Sequence, residues 1–61
     1  MNDDKTKYQE SAENHRAAGD TLAKEGHVSG SETMKRDCYD KAQTEYNIAE
    51  TLDNVANRIK P

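Results

Sequence analysis

From Thr33 to Lys60 the chain contains neither glycine nor proline, and within this run Ala42, Ala49 and Ala56 recur at steps of seven. A stretch of that length without a turn residue is far longer than an ordinary strand and fits a helix. Side chains seven apart lie on one helix face, so the three alanines define a narrow seam of small residues. Cys38, Glu45, Leu52 and Ile59 follow the same step beside it. Ile48 and Val55 widen the stripe, and Tyr39 and Tyr46 flank it. The polar Glu45 interrupts an otherwise apolar pattern.

The preceding part of the chain predicts a second helix, from about residue 4 to residue 25. Asp3 and Asp4 are placed to cap it and to complement the positive end of its dipole. Tyr8, Ser11 or Ala12, His15, Ala18 or Gly19, and Leu22 recur at helical steps, and most of these side chains are small. Gly26 is expected to end this helix in a left-handed turn, followed by a loop over residues 26–31. Ser29 with Glu32 reads as a capping box for the next helix, and Ser31 is an equally good cap. That helix is expected to reach about residue 60, with Arg58 and Lys60 suiting its negative end and Pro61 stopping it. Acid-to-base pairs four apart, Asp20 with Lys24 and Asp37 with Lys41, agree with both helices. The expected fold is therefore all-α: residues 1–61 form one antiparallel two-helix hairpin, with Ala12, Ala18 and Gly19 facing the alanine heptad.

Such a hairpin has little to bury. Its large aliphatic residues are Leu22, Val28, Ile48, Leu52, Val55 and Ile59, helped by Met34 and three tyrosines, with no Phe or Trp. Small scaffolds compensate with disulfides, a structural metal or oligomerisation, and the single Cys38 rules out an intrachain disulfide. Folding about residues 28–29 pairs positions whose numbers sum to about 57, which sets His15 against Ala42 and Tyr8 against Ala49. Leu52, Val55 and Ile59 then lie opposite the polar residues 2–6 and lack intrachain cover. An uncovered apolar strip marks an interface. The expectation is a homodimer forming a four-helix bundle through Ile48, Leu52, Val55, Ala56 and Ile59, with a heterologous helical partner as the rival. In the opposing case the strip packs on Tyr8 and Met1 in a monomer. An interfacial His15 is expected to loosen the dimer on protonation.

Charge narrows the partners. A net charge of −3 opposes loose attachment to nucleic acid or an anionic membrane and favours a basic partner. No segment is apolar enough to span a bilayer, the start of the chain lacks signal-peptide character, and one thiol suits a reducing, cytoplasmic setting. His15, His27 and Cys38 match no zinc spacing, and neither a phosphate loop nor a catalytic triad is present, so the reading is non-enzymatic, without metal or cofactor. Cys38 reads as a packing group.

Two binding surfaces remain as candidates. From Ala42 to Asn57 the only charges are Glu45, Glu50 and Asp53, an acidic surface on which Tyr39 and Tyr46 are natural anchors for another protein. The alternative is a small dimeric nucleic-acid binder using Lys5, Lys7, Arg16, Lys35, Arg36 and Lys41. Asp37, Asp40 and Glu32 dilute that set.

Ala18-Gly19, Leu22 and Tyr39-Asp40-Lys41-Ala42 resemble the paired helices of a tetratricopeptide repeat, over about one repeat's length. The expected loop is longer than that pattern has and no second copy follows, so no family is assigned. In length, acidity and lack of catalytic motifs the chain is similar in style to small accessory proteins of phages and other mobile elements. The functional expectation is a small acidic helical module that regulates another protein by binding it.

Overall fold

The computed structural model describes residues 3–59 and shows two helices, α1 over Asp3–Val28 and α2 over Glu32–Arg58, packed together as an antiparallel hairpin. Lys60 and Pro61, expected in and after the last turn, and Met1 lie outside the described residues. No helix is long and apolar enough to cross a membrane among the described residues.

The turn is shorter than the glycine suggested. Gly26 is helical, no glycine has a positive φ, and α1 continues two residues beyond it. What requires glycine there is space. A Cβ on Gly26 would sit 3.0 Å from Cε1 of Tyr39 and 3.1 Å from Cβ of Cys38. Residues 29–31 make the whole connection. Ser31 is the N-cap of α2, its hydroxyl accepting from the Met34 amide at 3.4 Å, while the Ser29 hydroxyl accepts from the Ser31 amide at 3.2 Å. At the other end Ile59 caps α2, its amide donating to the Ala56 carbonyl at 3.1 Å.

The seam consists of small residues from both helices. Ala12, Gly19 and Gly26 are buried on α1 at steps of seven, and Ala42, Ala49 and Ala56 are buried on α2 at the same step. A strict seven-residue repeat keeps one narrow stripe turned toward a supercoiling neighbour. Interior glycines cost roughly 1 kcal/mol each relative to alanine. Here they admit the tyrosine rings of α2. Among the described residues no large side chain is fully buried, so this interior holds alanine methyls and glycine backbone.

The later turn also moves the register. His15 meets Glu45, Gly19 meets Tyr46 and Arg16 meets Asp53, so facing residue numbers sum to between 60 and 69 rather than 57. The shift of about one to three helical turns brings α1 opposite the C-terminal part of α2. Leu52, Val55 and Ile59 are consequently half-buried within the hairpin instead of uncovered, and Ala56, expected at a dimer interface, is 1% exposed in the hairpin's own seam. The molecule is a rod with Cα extents of 48 × 13 × 9 Å. Its radius of gyration is 14.2 Å, against about 10.5 Å for a compact domain of this length. Its accessible surface is 4642 Å², against roughly 4,000 Å² for a globular monomer of this mass.

Candidate functional site

The hairpin has two broad faces, one on each side of the alanine seam, and their chemistry differs. At about 100° per residue, Glu45, Ile48, Leu52, Val55 and Ile59 turn to one side of the α2 seam, and Tyr39, Tyr46, Glu50 and Asp53 turn to the other. Contacts across the helices agree with this division. His15 meets Glu45 on the first face; Asp20 meets Tyr46 and Arg16 meets Asp53 on the second.

The first face is mostly uncharged. Ile48 is 38% exposed, and it lines a shallow groove with Thr44, Asn47, Thr51 and Leu52. Three polar side chains of this groove make contacts within α2. Thr44 donates its hydroxyl to the Asp40 carbonyl and Thr51 to the Asn47 carbonyl, both at 3.1 Å, and the Asn47 side chain accepts from Gln43 at 3.0 Å. Such back-bonding turns threonine toward its methyl, which makes the groove more apolar than its residue names suggest. The polar break at Glu45 is met from α1, where Nδ1 of His15 lies 2.7 Å from its carboxylate. Glu45 thus belongs with the apolar face rather than with the other acidic candidates. His15 faces this carboxylate and not Ala42.

The second face is acidic and aromatic. The Tyr46 ring lies over Gly19, where an added Cβ would be 2.7 Å from Cε1, and its hydroxyl donates to Asp20 at 2.5 Å. That bond, with desolvation next and the charge of Asp20 last, raises the Tyr46 phenol above its ordinary value. Tyr39 repeats the arrangement over Gly26 and remains 41% exposed. Seven residues after Tyr46, Asp53 takes a 2.5 Å ion pair from Arg16, and these two line a polar groove with Thr6, Gln9, Glu10 and Glu13. Asp20 therefore turns across the seam to Tyr46, while the Asp37–Lys41 pair forms as expected at 3.0 Å. Asp37 raises the Lys41 ammonium above its usual range, chiefly by the hydrogen bond.

The cations proposed for nucleic acid do not converge. Lys5 and Lys7 lie at the start of α1 and Lys35 and Arg36 at the start of α2, and in an antiparallel pair these starts are at opposite ends. They are separated by roughly 30 Å at about 1.5 Å per residue. Arg16 and Lys41 are engaged by Asp53 and Asp37. Cys38 is half-exposed beside Gly26 rather than fully enclosed.

Sequence reasoning missed the two tyrosine-over-glycine contacts. The signal was available, because Gly19 and Gly26 are spaced by seven just as Tyr39 and Tyr46 are. The fold and faces define a class, a helical hairpin with a small-residue seam and two unlike surfaces. Comparison with protein-family models, with curated proteins and with solved structures finds no match to this chain.

Proposed function

We propose that this chain is a non-catalytic interaction module: an acidic helical hairpin that pairs with a second copy through one broad face and binds a basic protein partner through the other. The observation that carries the reading is the division of the rod into a face whose apolar groove holds no ionisable group and an acidic face bearing half-exposed aromatic rings. Pairing is supported by an interior that, among the described residues, encloses no large side chain and by a surface larger than a globular monomer of this mass carries. Partner binding is supported by Tyr39, Glu50 and Asp53 lying on one face with Tyr46, next to the carboxylates of Glu10 and Glu13. Aromatic anchors within an acidic field suit a cationic helix.

The test is calorimetric titration with a Lys- and Arg-rich helical peptide and, separately, with duplex DNA and RNA at low salt. Peptide binding that weakens at least tenfold in Tyr39→Ala or Glu50→Lys supports the proposal. Duplex binding that is lost in Lys35→Ala/Arg36→Ala, with no peptide binding, replaces it with the nucleic-acid reading.

A further inference from the structure

We infer that a second copy lies along the whole face of the hairpin that carries His15 and Glu45, with both turns at the same end, so that α1 of each chain is covered by α2 of the other. This inference rests on the self-association proposed above and specifies its surface and geometry.

A row of residues on each helix points straight out of that face. Ser11, Ala18 and Glu25 each precede a buried seam residue of α1 by one, and Lys41, Ile48 and Val55 each precede a buried seam residue of α2 by one. One residue back is about 100° round the helix, on the side to which the His15–Glu45 contact belongs. The two rows are unlike. The row on α1 offers two small side chains and an acid, and the row on α2 offers two β-branched side chains and a base.

Height along the rod matches one row to the other. The ring contacts of Gly19 with Tyr46 and of Gly26 with Tyr39 place at one height residues whose numbers sum to 65. A two-fold axis along the rod keeps every residue at its own height and sets α1 on α2 of the other copy. Ser11 then meets Val55 of the other copy, Ala18 meets Ile48 and Glu25 meets Lys41, and in all three pairs the numbers sum to 66. Bulk enters where side chains are small, and acid meets base. A two-fold axis across the middle of the rod sets each helix on its own copy instead, which puts Glu45 beside Glu45 and Lys41 over Val55. Charge complementarity therefore selects the arrangement with both turns at one end.

Area requires the same full overlap. A stable interface covers about 600–1,000 Å² on each partner. The broad face measures 48 × 13 Å between Cα atoms, roughly 600 Å² before side chains widen it, so nearly all of it must be covered. An axis along the rod covers the face from end to end. It takes in Tyr8 and Ile48, which are 37% and 38% exposed in the single hairpin.

Spin labels at Gly30→Cys in a Cys38→Ala chain read the orientation from outside the contact, since nothing lies within 4 Å of a Cβ at Gly30. Packed helix layers lie about 10 Å apart, so pulsed electron resonance on the dimer is expected to find the two labels within about 25 Å. Labels more than about 40 Å apart, as at opposite ends of a rod 48 Å long, would overturn the arrangement. The register is tested by sedimentation of charge-swapped chains. Glu25→Lys is expected to weaken the dimer at least about threefold, and Glu25→Lys with Lys41→Glu to restore it. A double swap no tighter than Glu25→Lys alone would overturn the Glu25–Lys41 pairing. Ile48→Glu is expected to weaken the dimer at least about tenfold. A dimer unchanged by Ile48→Glu would overturn the choice of face while leaving self-association intact, and a monomer at every concentration would remove the self-association itself.

Discussion

Replacing Gly19 by alanine sets two effects of opposite sign against each other. In a helix interior alanine is favoured over glycine by roughly 1 kcal/mol, so on propensity alone Gly19→Ala stabilises α1. The structure adds a larger opposing effect. The new methyl would lie 2.7, 2.9 and 3.0 Å from Cε1, Cδ1 and Cζ of Tyr46, which is most of one edge of the ring. Relief requires the ring to swing off the seam, and that motion carries its hydroxyl away from Asp20. Overpacking of this kind costs about 1–3 kcal/mol, leaving a net destabilisation of about 1 kcal/mol. For a chain of this size that lowers the melting temperature by roughly 4–8 °C. In a Tyr46→Ala chain the obstruction is gone and the same substitution should stabilise by about 1 kcal/mol, so its sign reverses. Thermal unfolding followed by circular dichroism on the four chains, at one fixed protein concentration, measures both values. If Gly19→Ala changes stability equally with and without the Tyr46 ring, the ring does not lie over Gly19 and the account of the seam is wrong.

Other consequences follow from the same contacts. Ala49→Leu adds hydrophobicity yet should destabilise by about 1–3 kcal/mol or more, since Ala49 is 1% exposed between the helices; urea denaturation checks the sign. The Tyr46 phenol is raised in the folded chain, so the stability it contributes is fully present below its ordinary value near 10 and is lost as pH climbs through the raised value. Melting temperatures across pH 9–11.5 should therefore fall more steeply for the wild-type chain than for Tyr46→Phe, and equal slopes would contradict the Asp20 contact. Ser31→Ala should cost about 0.5–1 kcal/mol through loss of the cap on α2, toward the low end of such effects because the capping bond is 3.4 Å long. A cost at Ser29→Ala larger than at Ser31→Ala would reverse the assignment of the cap.

The helices were legible because their signals are local. An unbroken run from Thr33, acidic residues at the first turn of α1 and a heptad of alanines each specify helix or face without knowledge of a neighbour. The hairpin followed from Ala12 and Gly19 matching the alanine seam. Register was not legible, because Gly26 carries two meanings in sequence. Glycine after a helix usually marks a left-handed turn, and only the ring of Tyr39 against it shows that here it provides room. Placing the turn at Gly26 displaces the pairing by about one to three helical turns, which makes Leu52, Val55 and Ile59 look uncovered and puts His15 beside Ala42. The candidate surfaces divided for a related reason. Sequence proximity groups Glu45 with Glu50 and Asp53, yet helical geometry sends it to the opposite face, where its carboxylate lies beside His15. Sequence also suggested one basic set, whereas antiparallel topology sends Lys5 and Lys35 to opposite ends of the rod.

The central claim, that this hairpin pairs with a second copy, is tested most directly by sedimentation equilibrium with circular dichroism on the same samples over a wide concentration series. The account predicts a mass near twice 6.9 kDa at high concentration, with helicity and mass falling together on dilution. A fully helical chain of 6.9 kDa at every concentration would contradict it.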